Sequence, residues 1–198
     1  MPVRVSQLRK DPAGPPAAEV RGSPGGIGRS TSPAAEAVSD DLRRSAAAHV
    51  QGRRRVAGLT LGAMGSLGMV AAYQFGLVRR LPEPPVPIFD AMRVDASGEA
   101  YQYLKTPDAA LGLVSTAATL LLAGTGDGDR WRTRPWLPLA MAAKVAGDAA
   151  FGAFLTAEQA SKHRRFCSWC LAAAVASVAA VPPALPEARA AWRALRGA

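Results

Sequence analysis

The sequence is poor in aromatic residues and in cysteine. Phe, Trp and Tyr make up 6% of the 198 residues although 49% are hydrophobic, and none occurs before Tyr73. A soluble core of this size normally uses more large aromatics, whereas Ala, Leu and Val suit membrane helices, where small residues let backbones approach closely. The composition therefore argues against a simple soluble enzyme and excludes collagen and coiled coils. Two cysteines also exclude a framework of several disulfides.

The formal net charge is +9, but the basic residues do not form one patch. Ten of the 24 Lys and Arg lie between Arg4 and Arg55, and most of the others lie between apolar stretches. A nucleic-acid-binding surface interleaves basic and aromatic residues, and the basic N-terminal part has no aromatic residue. We therefore expect membrane lipid rather than nucleic acid as a partner, with the charges orienting membrane helices.

The chain changes character after residue 50. Residues 1–50 are rich in Pro, Gly, Ser and Arg, so they cannot bury enough apolar surface to offset the entropy cost of ordering. This predicts a disordered basic N-terminal tail, with no more than a transient helix between Ala34 and Gln51. Residues 187–198 predict a short interfacial helix anchored by Trp192.

Four apolar stretches predict four transmembrane helices and an all-α membrane bundle over residues 55–185. The stretches run at about 56–78, 108–125, 135–157 and 166–182. At about 1.5 Å per residue, the first is long enough to cross a bilayer core of about 30 Å. Pro107 suits the first turn of the second helix, and the prolines from Pro182 onward end or kink the fourth.

The first apolar stretch supports two further expectations. Gly58 and Gly62 have the small-xxx-small spacing that favours close helix packing. The arginines at 53–55 before the stretch faintly resemble a twin-arginine secretion signal. That alternative is weak, because three more apolar stretches follow.

Basic residues near the helix ends predict the orientation. Eleven Lys and Arg fall on the side of the N-terminus and seven on the other side, with Arg79 and Arg80 opposing the bias. The excess predicts cytoplasmic N- and C-termini. Cys167 and Cys170 then lie at the outer face, where disulfide chemistry is permitted.

Cys167 and Cys170 are the strongest candidate for a chemical site. Their spacing puts both side chains on one helical face, at a helix start whose dipole favours thiolate. Two buried, inert thiols are the plain alternative. A second alternative is zinc, because His163 precedes the pair at a spacing that completes an i, i+4, i+7 pattern.

Two further features stay open from sequence alone. Lys144 and Asp148 lie four residues apart in the third stretch, which suits an intramembrane ion pair, or alternatively a proton relay or the polar end of a ligand pocket. The long loop from Arg79 to Asp108 begins with several prolines and also carries apolar and aromatic residues. It is either a lid over the bundle or a solvated connector.

Together these residues resemble the vitamin K epoxide reductase family, over about residues 55–185. Residues 166–171, Phe-Cys-Ser-Trp-Cys-Leu, resemble the Phe/Tyr-Cys-x-x-Cys-Leu pattern of its bacterial members. Pro107 and Gly112 match the family's Pro-x-x-x-x-Gly turn, and Ser97 to Tyr101 resembles the Ser-x-x-x-Tyr stretch of the family loop.

The resemblance implies a four-helix membrane oxidoreductase of the bacterial inner membrane. Electrons would pass from a thioredoxin-like or other thiol partner, supplied in trans, to a quinone of menaquinone or ubiquinone type. By position, Cys170 matches the quinone-reactive cysteine and Cys167 the exchanging one. Phe166, Trp169 and Tyr101 are candidate pocket walls.

The chain departs from the family in its first loop. Family members usually carry a second cysteine pair there, and residues 79–108 have none. Electrons would then reach Cys167 directly from a partner or a small thiol. The alternative is a divergent, non-catalytic protein that binds a quinone or a lipid.

Overall fold

The computed structural model describes residues 33–197, and these fold as helices with one isolated bridge between Phe89 and Phe166. The chain divides into an N-terminal unit, Met1–Ala37, and a compact unit, Val38–Ala198. The helices are α1 Pro33–Arg44, α2 Ala48–Gln74, α3 Ala91–Asp95, α4 Asp108–Gly124, α5 Arg130–Thr133, α6 Trp136–Glu158, α7 Ser168–Ala179 and α8 Val181–Arg196. A 3-10 turn, Gly98–Tyr101, follows α3, and a π-helical turn, Gln159–His163, extends α6.

The described helices confirm an all-α protein with membrane-spanning character. Three segments are long and apolar enough to cross a membrane: Ala48–Gln74, Trp136–His163 and Ser168–Arg196. Helix α4, with 17 residues, is a shorter apolar helix. The structure therefore has three helical segments of membrane-spanning length and one shorter apolar helix. The predicted count of four transmembrane helices stays a prediction.

Helix α2 begins and ends earlier than the predicted 56–78. It starts at Ala48 because its first turns pack inside the bundle, where Val50 is buried. It ends before Gly76, because the backbone φ of 75° at this glycine is incompatible with a right-handed helix. Within the predicted N-terminal tail, residues 33–44 and 48–50 are helical, in the region where the sequence allows a transient helix, and the remainder of the tail falls largely outside the described residues.

The C-terminal segment belongs to the bundle. Pro182 and Pro183 occupy the first turn of α8. Backbone N–H groups in the first turn have no partner inside the helix, so the N–H that proline lacks is not missed there. Ala180 separates the two helices, and the chain continues as a helix from Val181 to Arg196. Ala184, Ala188 and Ala191 of α8 are buried, so residues 187–196 are not a separate interfacial helix, although Trp192 stays about half exposed.

A close approach between α2 and α8 occurs at Gly52. A Cβ atom placed there would lie 2.6 Å from the carbonyl oxygen of Pro183, which leaves room only for glycine. Gly58 and Gly62, by contrast, have no other described atom within 4 Å of a Cβ and are exposed. The prediction that these two glycines mediate close packing is wrong for this chain, because they face away from the bundle.

One end of the bundle is tied together by two buried arginines. Arg53 donates to the carbonyl oxygens of Ala123, Thr125, Gly126 and Asp127, which follow or close the last turn of α4. The last carbonyls of a helix have no partner inside the helix and attract cations. Arg130 binds the carboxylate of Glu187 at 2.7 Å, and both side chains are almost fully buried.

The opposite end is covered by residues 79–107, which we call the lid. Leu81, Ala91 and Val94 of the lid are buried in one apolar cluster with Ala71 of α2 and Cys167. Backbone hydrogen bonds link Phe166 to Ile88 and Asp90. The lid is thus packed on the bundle and is not a solvated connector.

Candidate functional site

The two cysteines lie at the start of α7, at the lid end of the bundle. Cys167 is the N-cap residue, and its Sγ accepts a 3.2 Å hydrogen bond from the backbone N–H of Cys170. The N–H of Cys167 donates to the side chain of Gln159 at 3.0 Å. Both cysteines are free thiols. The helix start therefore places the two sulfurs within 4.8 Å of each other.

The lid closes over Cys167. The carboxylate of Glu83 accepts hydrogen bonds from the backbone N–H of Ser168, at 2.9 Å, and from that of Ala91. Glu83 thereby connects two parts of the lid with the first residue of α7. Cys167 has no exposed surface as a result.

Cys170 faces the other way, into a cavity of about 460 Å³. Helices α2, α4, α6 and α7 contribute apolar wall residues, among them Leu67, Leu111, Phe151 and Ala174. Asp95 of the lid lies in the wall beside Cys170. Small-molecule sites are typically cavities of about 300–1,000 Å³ that are mostly apolar with a few placed polar groups. The cavity therefore has the size and character of a ligand site.

Asp95 is the site residue that sequence reasoning missed. Its Oδ1 accepts a hydrogen bond from the Cys170 thiol at 3.3 Å, and the residue is 1% exposed. Oδ2 has no hydrogen-bond partner among the described residues. Burial raises the pKa of Asp95 to about 6, with the neighbouring thiols partly opposing the rise and Asp108 and Glu83 adding to it. The sequence feature that could have identified Asp95 is its position as a single acidic residue between the apolar residues Val94 and Ala96.

The alternative zinc arrangement with His163 is not the one that the structure brings together. The sulfurs of Cys167 and Cys170 and a carboxylate oxygen of Asp95 lie within 4.8 Å of one another, a spacing that a shared metal ion also requires, and His163 is not in this group. The helical pattern is broken because Arg164 is left-handed (φ 53°) and Cys167 is extended. His163 instead lies 4.0 Å from Glu99.

The three predicted pocket-wall residues lie around the cysteines, but none of them lines the cavity. The indole N–H of Trp169 donates to the carbonyl oxygen of Pro82 at 2.7 Å, so this ring fixes the lid. The hydroxyl of Tyr101 donates to the carbonyl oxygen of Gln74 at 3.0 Å. Phe166 is engaged through its backbone with the lid. All three therefore connect the lid to the bundle.

A polar network lies elsewhere in the helix bundle. Lys144 and Asp148 form an ion pair at 2.5 Å, one helical turn apart on α6. The hydroxyls of Ser115 and Thr119 on α4 donate to the Asp148 carboxylate at 2.8 and 2.6 Å. Asp148 and Ser115 also line the cavity. The pair therefore links α4 to α6 and gives the cavity a polar margin.

A cysteine pair at a helix start, between a covering lid and an apolar cavity in a helical protein with membrane-length segments, is an arrangement suited to thiol–disulfide exchange. The model of the Vitamin K epoxide reductase family matches residues 55–185, well over half of the chain. The chain belongs to this family, as the motifs at 97–112 and 166–171 indicate. No curated protein and no solved structure matches the chain.

Proposed function

We propose that the protein is a quinone-linked thiol–disulfide oxidoreductase that passes electrons from a thiol partner through Cys167 and Cys170 to a membrane quinone. One observation carries the proposal. The Cys170 side chain lies in the wall of the 460 Å³ cavity, while Cys167, three residues away, is closed off beneath the lid. The two thiols thus face two different environments, as an exchange step and an electron-transfer step require.

The cavity fits a quinone ring. Its volume suits a small planar molecule, and its wall combines apolar side chains with the Cys170 thiol and the Asp95 carboxylate. A bound quinone would supply a two-electron, two-proton acceptor. Both menaquinone and ubiquinone types satisfy these properties. Family membership supports this choice, since the family is known to use quinones.

Cys167 is proposed to exchange with the thiol partner. Thiol–disulfide exchange needs access to the attacked sulfur, and Cys167 has none while the lid is closed. The lid therefore has to move for exchange with a thioredoxin-like protein. Because the lid has no cysteine, electrons enter Cys167 directly from that partner or from a small thiol.

The proposed setting is the bacterial inner membrane, with the N-terminus in the cytoplasm. Helix α4, at about 1.5 Å per residue, reaches about 26 Å and would be the fourth span of a slightly thinned bilayer core. The lid and both cysteines would then lie at the outer face, where disulfides are made. The excess of basic residues on the opposite side supports this orientation.

A second candidate is a divergent protein that binds a quinone or a lipid without turnover. The observation in its favour is the absence of cysteine from the lid, which removes the relay that family members usually carry. The cavity would serve either role. The two candidates differ in whether the dithiol reacts.

Quinone reduction by the purified, dithiol-reduced full-length protein tests the proposal. A short-chain ubiquinone and menadione are the acceptors, and Cys167→Ser and Cys170→Ser are compared with Ser168→Ala, which keeps both thiols. We expect reduction by the wild type and Ser168→Ala, and none above background by either cysteine variant. Quinone binding without cysteine-dependent reduction would overturn the enzyme and support the second candidate.

A further inference from the structure

Asp95 is placed against the thiols by an anchored segment of the lid. Asp90 is the N-cap residue of α3, and its side chain accepts a hydrogen bond from the backbone N–H of Arg93 at 3.0 Å. At the other end of α3, the Gln74 side chain donates to the carbonyl oxygen of Asp95 at 3.3 Å. Ala91 and Val94 are buried on the bundle. The Asp95 carboxylate is therefore held at the cysteines from both ends of its helix.

The groups that act most strongly on this carboxylate include no cation, although Lys162 and His163 line the same cavity. The ionisable groups that act on it are the Cys167 and Cys170 thiols, Glu83 from the lid and Asp108 at the start of α4. A buried carboxylate without a cation is costly, and such groups concentrate at functional sites. Structural needs do not explain the position, because an asparagine would make the same contacts without a charge.

We propose that Asp95 is the proton acceptor of the dithiol: it takes the proton of the Cys170 thiol when the Cys167–Cys170 disulfide forms. Two observations carry this. The thiol of Cys170 donates directly to Oδ1, and Oδ2 has no described partner and so has room for a proton. Asp95 touches a reacting atom and also lines the cavity, so it connects the sulfur with the space into which the proton leaves.

This step rests on the proposed function. Both S–H bonds break and one S–S bond forms, so that the dithiol loses two electrons and two protons. A quinone in the cavity takes up both electrons and both protons. Asp95 accepts the proton from Cys170 Sγ, releases it toward the cavity, and is then ionised again for the proton of Cys167, whose sulfur lies within 4.8 Å.

The pKa of Asp95 suits this role. Burial raises it to about 6, so the carboxylate is ionised at neutral pH yet basic enough to take a proton. A general base is most effective when its pKa lies near the working pH. Turnover should therefore fall as the pH drops through about 6, where Asp95 becomes protonated and can accept nothing further.

Infrared spectroscopy of the S–H stretching band gives a test independent of turnover. In full-length Cys167→Ser protein, Cys170 carries the remaining thiol, and serine keeps an N-cap acceptor. We expect the band to move to lower frequency as the pH rises through about 6, because the ionised carboxylate is the stronger acceptor. Adding Asp95→Asn should abolish the shift. Adding Asp129→Asn, which removes an exposed carboxylate beside α5, should preserve it.

Steady-state quinone reduction completes the test in the protein with both cysteines. We expect Asp95→Asn to lower kcat by about 10²-fold or more and to remove the low-pH decline, since general bases typically contribute about 10²–10⁴-fold. Asp129→Asn, which removes an exposed carboxylate beside α5, should behave like the wild type.

Three outcomes would overturn the proposal. An S–H band insensitive to pH would show that the thiol does not donate to Asp95. A slow Asp95→Asn variant that keeps the low-pH decline would reduce Asp95 to a positioning residue. A pH-dependent S–H band in a protein without any quinone reduction would overturn the quinone reaction itself, and the acceptor role with it.

Discussion

The carboxylate of Glu83 accepts a 2.9 Å hydrogen bond from the backbone N–H of Ser168 and so fastens the lid to the first residue of α7. The two residues are 85 positions apart in the chain. Their contact lies directly beside Cys167, which has no exposed surface. Access to the buried thiol is therefore governed by a contact that can be removed without touching either cysteine.

Removing the Glu83 side chain should expose Cys167. Hydrogen bonds to a charged group contribute about 1.5–3 kcal/mol each, and about 1.4 kcal/mol is a tenfold change in an equilibrium. In a Cys170→Ala background, we expect Glu83→Ala to increase the rate of iodoacetamide labelling of Cys167 at least about tenfold. Glu99→Ala is the control. Glu99 also belongs to the lid, but its carboxylate lies 4.0 Å from His163 and not at the start of α7, so this variant should be labelled at the parental rate. Equal rates in both variants would show that Glu83 does not hold the lid closed.

Asp95 should make the stability of the protein depend on pH. Its pKa rises from 3.8 to about 6 on folding, so the folded state binds the proton more tightly. The stabilisation from protonated Asp95 is complete below pH 4 and is lost as the pH rises through about 6. At 1.36 kcal/mol per pKa unit, the loss is roughly 3 kcal/mol.

Asp95→Asn removes this titration, which makes the variant the natural comparison. Its free energy of unfolding in detergent, minus that of the wild type, should increase between pH 4 and pH 7 by roughly 3 kcal/mol. Asp129→Asn, which removes an exposed carboxylate beside α5, should show no such trend. A difference for Asp95→Asn that does not vary with pH would contradict a raised pKa in the folded protein.

The Lys144–Asp148 pair should matter most when one partner is removed. Lys144→Met leaves a carboxylate in the bundle with only the hydroxyls of Ser115 and Thr119, and breaking such a pair costs about 3–5 kcal/mol. The double variant Lys144→Met/Asp148→Leu leaves no charge behind and should recover most of the loss. A double-mutant cycle on unfolding measures the coupling, and additive losses would show that the two charges act independently.

Two glycines on α2 should respond in opposite directions to alanine. Gly52→Ala places a Cβ 2.6 Å from the Pro183 carbonyl oxygen and should destabilise the protein by about 1–3 kcal/mol through overpacking. Gly58→Ala meets no described atom within 4 Å and should stabilise the helix by about 0.5–1 kcal/mol. Thermal unfolding of the two variants side by side measures both effects. A destabilised Gly58→Ala would indicate an additional partner on that face.

The cysteine pair was predictable because helix starts and Cys spacing are local properties. The sequence placed Cys167 and Cys170 at the head of a helix, and Cys167 is its N-cap residue. The boundaries of α2 were less predictable, because Arg53 is polar in sequence yet buried on the carbonyls at the end of α4. Hydropathy alone cannot show that a charge has a partner 70 residues away.

Asp95 was not predictable for a related reason. Its role depends on where the lid folds back, and short helices such as α3 leave little periodicity in the sequence. His163 shows the converse error, since its spacing from the cysteines is helical but a left-handed residue at Arg164 interrupts the helix between them. Pairwise spacing predicts contacts within one regular helix and fails across a break.

The buried pair of Arg130 and Glu187 has a consequence for biosynthesis. Arg130 is made 57 residues before its partner, so a growing chain carries this charge unmatched until α8 has left the ribosome. A chain that stops short of Glu187 would keep an uncompensated arginine in its core. Helix α8 therefore completes the buried charge pair, and a chain truncated before it leaves Arg130 without its carboxylate partner.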